Sequence, residues 1–399
     1  MPALRFQWHE NAHAFAGISQ VTPHKGVTDA HLPTSSVAQA LEKLHRALHS
    51  NTPFCITDGP QPQLDALKPA EFATLTGGTS GQPKIIARSQ ASWITSFQTN
   101  AAHLTYTTQD RIAVLGALSH SLALYGALEG LHLGMNVHAL SPLKPTAQHA
   151  ALRANACTIL YATPTQLRLL PADSPLEQIR FILCGGGMLT GPIRAHIAAL
   201  APNAAVHEFY GSAETSFITL GDTATPAGSV GRAYPDVEIE VRNADTTETG
   251  LIWVRSPYLF DRYIKGSSPH TQRDGDWLTV GEYGRLDADG YLYLRGRAGR
   301  VINIADTAIF PEELEAQIST LPDMPDACIL TRKDARRGYV LVAVLEGAQD
   351  PHLRAILLAH LKDKSLVIPR AVEFLQEFPR LPSGKIDLKT IATLIGCTL

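Results

Sequence analysis

The segment TGGTSGQPK, residues 76–84, concentrates groups that hold a polyphosphate. Gly77, Gly78 and Gly81 let backbone N–H groups come close to an anion. Thr76, Thr79 and Ser80 add hydroxyl donors, and Lys84 adds positive charge. The spacing is not that of a Walker loop, which needs Gly-Lys followed by Ser or Thr; here Gln82-Pro83 separates Gly81 from Lys84. A second run, Gly185-Gly186-Gly187, follows apolar residues 181–184 but is not GxGxxG, because position 190 is threonine. No GxSxG nucleophile elbow occurs. His9-Glu10-Asn11-Ala12-His13 has the letters of a zinc-binding HExxH, yet no amphipathic helix surrounds it, so it reads as a chance match.

These groups need elements to position them. A short apolar strand leads from residue 72 into the first glycine loop. The pattern then predicts a helix over 92–104, a strand at 112–118, a helix over 122–133 and a strand at 158–161. Thr163-Pro164 opens another helix; residues 181–184 read as a buried strand, and Pro192 suits the first turn of the next helix. This alternation argues for an α/β core. From about residue 225 the pattern turns β-rich: Val237, Ile239 and Val241 alternate with Glu238, Glu240 and Arg242. A turn at 287–290 separates two further strands, and residues 295–300 read as a polar, glycine-punctuated linker. The last hundred residues alternate again, with helices from Pro311 and over 353–361 and a strand at 339–345. Residues 1–70 are weakly patterned apart from a helix over 37–49.

Length and composition set the frame. The 399 residues are enough for two or three domains, and 45% hydrophobic with 18% charged residues is a globular composition. With 34 Lys and Arg against 37 Asp and Glu, the net charge of −3 gives no global field for nucleic acid or anionic lipid. Five cysteines without a CxxC pair read as reduced, mostly buried thiols of a cytoplasmic protein. The N-terminus lacks a signal-peptide core, and the most apolar stretch, 112–128, reads as a strand and helix rather than a membrane span.

From about residue 72 onward the chain resembles the AMP-forming adenylating enzymes, the superfamily of acyl-CoA synthetases, peptide-synthetase adenylation domains and luciferases. The resemblance rests on motifs in the family's order: TGGTSGQPK, LSHSLALYG around His120, CGGG at 184–187, EFYGSAET at 208–215, GSVGR at 228–232, GLIWV at 250–254, WLTVG at 277–281, Gly296-Arg297, PEELE at 311–315 and PSGKID at 382–387. It implies a large α/β N-terminal part with βα-alternating and β-rich subdomains over 1–295, a hinge at 296–299, and a small mobile α+β domain over 300–399. It implies activation of a carboxylic acid by ATP and Mg²⁺ to acyl-AMP, with pyrophosphate leaving. Transfer to the thiol of CoA or of carrier-protein phosphopantetheine would follow; capture by an amine and a non-catalytic binder are the alternatives. An aryl or medium-chain acid suits the residues matched to the acyl pocket, Trp93, His120, Gly187 and Met188.

By the same resemblance, Lys385 is the catalytic lysine, Glu214 the magnesium-associated acid and His120 the gate beside the acyl pocket. Gly185, Gly186, Gly187, Glu208, Phe209, Tyr210, Gly211, Ser212 and Thr215 join the first glycine loop in binding ATP, with Tyr210 against adenine. Glu282 and Arg297 grip the ribose. The chain departs from the family's pattern where Gly77 replaces a hydroxyl residue, Ala213 a threonine, Glu282 an aspartate and Gly299 the usual hinge residue. Ala305-Asp306 stands where a glycine pair commonly lines the pantetheine tunnel. The family commonly has more chain before the phosphate loop, so the sequence reads as a shortened member whose bared surface suits a partner such as a second copy of the chain.

Overall fold

Strands buried on both faces must be apolar throughout, as parallel strands covered by helices are. Ile159–Ala162 and Phe181–Cys184 are of this kind. They pair in parallel at the centre of a nine-stranded sheet in the computed structural model, which describes residues 4–21, 31–33, 37–57, 62, 64–76, 84–245, 247–304, 307–336, 338–364, 366–381 and 385–399. On one side follow Ala205–Ser212, Ser216–Gly221 and Arg232–Ala233; on the other Arg111–Val114, Asn136–Ala139, Ala14–Ala16 and Ser19–Val21. A five-stranded sheet contains the antiparallel pair Glu71–Thr76 and Lys84–Ser89, with Arg262–Lys265 at its edge. A six-stranded sheet contains Gly250–Arg255, Glu282–Leu286 and Leu292–Arg297. The chain is thus mixed α/β.

Beyond Arg300 the chain forms a small α+β part whose helix Pro311–Ile318 packs against strand Leu292–Arg297. Ala327–Asp334, Gly338–Glu346 and Ala371–Leu375 make its three-stranded sheet, and Pro311–Ile318, Pro351–Asp363 and Leu388–Leu394 are its helices among the described residues. Its core groups Ile318, Ile329, Leu341 and Leu357.

The large part's core carries one buried polar network. Glu129, in helix Ser121–Leu133, accepts from the Tyr161 hydroxyl at 2.6 Å and Asn100 Nδ2 at 2.8 Å. Asn100 Oδ1 in turn accepts from the Tyr234 hydroxyl at 2.6 Å. Burial pushes the Glu129 carboxyl up to about 8. Four of the five cysteines are buried and all are free, and no helix of the described residues is long and apolar enough to cross a membrane.

Several local expectations need correction. Residues 295–297 are not linker: they complete strand Leu292–Arg297, and Ala298–Arg300 then forms one 3₁₀ turn. Cross-strand pairing with Glu282–Leu286 overrides their polar composition. The strand expected to reach 118 ends at Val114. The weakly patterned start contributes Ala14–Ala16, Ser19–Val21 and Cys55–Thr57, strands too short to show a period of two. Residues 10 and 11 form a turn, so His9 and His13 share no helical face.

Candidate active site

Two corners of the site can be built from the residues upward. In the first, strand Glu71–Thr76 delivers Thr76 to the glycine loop, and Lys84 stands opposite it in register. Gly77, Gly78, Thr79, Ser80 and Gly81 lie outside the described residues. His120 precedes helix Ser121–Leu133 and bridges to Leu75, while Ser121 Oγ donates to the Leu75 carbonyl at 3.0 Å. His120 is therefore fixed beside the mouth of the loop.

Glu214 lies in the tight connection between Ala205–Ser212 and Ser216–Gly221. Ser212 Oγ accepts from the Glu214 and Thr215 N–H groups, each at 3.2 Å, and Thr215 Oγ1 accepts from Ser212 N at 2.9 Å. At Gly211 a Cβ would run into the Ser216 carbonyl oxygen, so only glycine allows this closure. Beneath the loop lies Arg88, fully buried. Its guanidinium donates to the Ala213 carbonyl at 3.1 Å, to Ser216 Oγ and to the Tyr258 carbonyl. Burial pushes its pKa down to about 10, opposed by Asp261 and Glu214. Trp93 is 2% exposed, its indole donates to Ser216 Oγ at 3.1 Å, and it backs the acid loop from within the core.

Glu214 Oε1 accepts from the Tyr263 hydroxyl at 2.9 Å, and Oε2 has no hydrogen-bond or ion-pair partner among the described residues. No group of three or more His, Cys, Asp or Glu is positioned to hold a metal among those residues. A lone hard carboxylate with a free oxygen fits Mg²⁺, which keeps waters and substrate phosphates as its other ligands.

The second corner is set by strand register. Glu282 and Arg297 are direct cross-strand partners, and Arg297 Nε donates to Glu282 Oε1 at 3.1 Å. Tyr210, from the large sheet, donates its hydroxyl to Glu282 Oε2. The Glu282 charge raises the Arg297 pKa, whereas burial, then Glu282, raises that of Tyr210. Lys385 reaches this corner from the small unit. Burial lowers its ammonium below the usual lysine range, Arg297 adds to the effect, and Glu282 opposes it. Leu381 N–H donates to the Lys385 carbonyl at 2.8 Å; Pro382, Ser383 and Gly384 between them lie outside the described residues.

Gly185–Gly187 follow the C-terminal end of strand Phe181–Cys184. The Phe209 ring occupies the place a Gly185 side chain would take, and Gly187 faces Pro164. Glu208 ties the turn down, accepting from Leu189 N at 3.1 Å and pairing with Arg194. Met188 is 50% exposed beside it. Gly299 sits in the 3₁₀ turn, and a Cβ there would stand 3.3 Å from His270 Nε2. Ala305-Asp306 lies outside the described residues.

Sequence reasoning passed over Arg88, Tyr263, Thr271 and Arg194. Arg88 had a signal: a charge directly after the apolar residues Ile85, Ile86 and Ala87 of a strand. Tyr263 had none, since it meets Glu214 across 49 residues of chain.

A family model described as AMP-binding enzyme matches residues 10–264. The chain is 32% identical over 342 residues to an uncharacterized acyl-CoA ligase, YhfT, of Bacillus subtilis, covering 82% of this chain and 69% of that relative. It is 31% identical over 233 residues to a 2-succinylbenzoate–CoA ligase of Lactococcus lactis, covering 57% and 50%. Among solved structures, the Bacillus subtilis o-succinylbenzoate CoA synthetase MenE, in complex with the acyl-adenylate intermediate OSB-AMP, matches with TM-score 0.70 and 25% identity over 84% of this chain and 70% of that one. The amide bond synthetase McbA of Marinactinospora thermotolerans matches with TM-score 0.68 and 25% identity over 92% and 80%.

Proposed function

The chain belongs to the AMP-binding enzyme family, and from that premise we propose that it is an AMP-forming acid–thiol ligase acting on a small carboxylic acid with ATP and CoA. One observation carries the site assignment: Tyr210, Glu282, Arg297 and Lys385 converge from separate chain segments. The Glu282 carboxylate, already bound by Tyr210 and Arg297, is placed to accept from the ribose hydroxyls. Its arm is one methylene longer than the family's aspartate, and the cross-strand Arg297 holds the extra reach in place.

The acid's carboxylate oxygen attacks the α-phosphorus, the bond to the bridging oxygen breaks, and pyrophosphate departs with its electron pair. Charge gathers on phosphoryl oxygens in that transition state, where a preformed cation is most effective. Lys385 is that cation on this reading. Its pKa is depressed by burial and then by Arg297, and a further anion beside it would favour its charged form. Glu214 would hold Mg²⁺, which neutralises polyphosphate charge when bound. Thr76, Ser212, Thr215 and Lys84, with the loop residues 77–81, supply donors along the phosphates.

The proposal divides the chain into a large part over 1–295, a hinge at 296–299 and a mobile part over 300–399. Arg297 binding on the large part and Lys385 reaching it from the small part support this division. An aryl or medium-chain acid would lie near His120, Gly187 and Met188, with Trp93 supporting from behind. Acid-dependent exchange between pyrophosphate and ATP, run over a panel of acids, tests the first half-reaction. Exchange with no acid would reduce the chain to a nucleotide or acyl binder. Adding CoA, carrier-protein phosphopantetheine or amines then identifies the acceptor. The likeness to an amide bond synthetase favours amine capture as the second reading.

A further inference from the structure

Tyr263 lies on the edge strand Arg262–Lys265, outside every matched motif. Its hydroxyl has two partners: Glu214 Oε1 at 2.9 Å and Thr271 Oγ1 at 2.9 Å. A phenol has one proton, and a carboxylate only accepts, so Tyr263 donates to Glu214 and Thr271 donates to Tyr263. The Lys84 ammonium lies over the same ring, 5.7 Å from its centroid, and Gly266 packs on the lysine stem. Glu214 and Lys84 are thus neighbours of one side chain, yet they form no ion pair. The Phe260 ring meets the Tyr263 ring edge-on at 5.0 Å, and Phe260 N–H donates to the Glu214 carbonyl at 2.8 Å, so ring and acid are anchored to each other twice.

We propose that Tyr263 is a positioning residue for adenylation: its hydroxyl holds Glu214 turned toward the polyphosphate-bound cation and keeps the carboxylate from collapsing onto Lys84. This rests on the reading of Glu214 as the magnesium acid. Tyr263→Phe removes one oxygen and leaves the ring beneath Lys84. With the hydroxyl gone, Glu214 is free to pair with Lys84, which neutralises the acid's attraction for a cation and the lysine's for a phosphate.

The test measures Mn²⁺ binding by electron paramagnetic resonance in the presence of a non-hydrolysable ATP analogue, beside the Mg²⁺ concentration for half-maximal exchange. Tyr263→Phe should weaken Mn²⁺ binding about tenfold, the loss of one charge-assisted hydrogen bond. Its half-maximal Mg²⁺ should rise in parallel. Thr271→Val, which strips the phenol of its donor and keeps its bond to Glu214, should weaken Mn²⁺ binding by a smaller factor. Glu214→Gln separates the two claims. If it weakens Mn²⁺ binding while Tyr263→Phe leaves it within twofold, the positioning role is overturned and the acid's role stands. If Glu214→Gln leaves binding unchanged, the reading of Glu214 itself is overturned.

Discussion

The two corners of the site use similar groups and hold them in different ways. At the Glu282 corner the acid and its arginine are facing residues of adjacent strands, so sheet register places them. At the Glu214 corner the acid sits in a loop whose carbonyls are gathered by the buried guanidinium of Arg88 and whose carboxylate is gripped by Tyr263. The charges of the Glu282 corner are mounted on a frame that exists without them. At the Glu214 corner the frame is made of the same polar bonds that present the acid. A substitution at the Glu282 corner should therefore change chemistry alone, and one at the Glu214 corner should change chemistry and stability together.

The largest effect should come from Lys385→Ala. Losing a positioned cation costs roughly 2.7–4 kcal/mol, or about 10²–10³-fold in the exchange rate. Thioester formation from supplied acyl-AMP should survive if the lysine serves only the first half-reaction; equal loss in both would break the picture of a mobile lysine visiting the Glu282 corner. Arg88→Met comes next. It leaves buried carbonyls without a donor and should cost about 3 kcal/mol in urea unfolding as well as activity. Full stability with lost exchange would show that frame and chemistry are separable at the Glu214 corner too. Glu282→Gln keeps the side chain's shape and removes its charge. It should raise the KM for ATP about tenfold, near 1.4 kcal/mol, with unchanged unfolding; a destabilised protein would erase the contrast between the corners.

The smallest effect lies away from both corners' charged groups, in the core network around Glu129. The Glu129 carboxyl, raised from 4.5 to about 8 by burial, keeps its proton in the folded chain. Its contribution to stability is full below pH 4.5 and is lost as pH rises through about 8. Glu129→Gln should flatten that fall in thermal midpoint while exchange kinetics keep their pH profile.

Much of this was legible in the sequence for reasons that can be named. Phe181–Cys184 announced itself because a strand buried on both faces has no polar residue to hide. The turn at 287–290 was readable because Gly290 takes a positive φ between two alternating runs. Tyr210, Glu214, Glu282, Arg297 and Lys385 could be picked out because their chemistry sits in short motifs with fixed spacing. Residues 295–297 misled because their composition is that of a linker, and only pairing with Glu282–Leu286 makes them a strand.

The sequence by itself determined the α/β alternation and the order of the glycine loop, acid and lysine motifs. These are properties of residue type and local spacing, which act over a few residues of chain. Only the tertiary structure decided that Tyr263 holds Glu214, that Arg88 lies beneath the acid loop, that Trp93 supports that loop from the core, and that Lys385 faces Arg297 and Glu282. Each joins segments far apart in the chain, and hydrogen bonds and charges act through space, so no local pattern encodes which distant partner a buried donor will find.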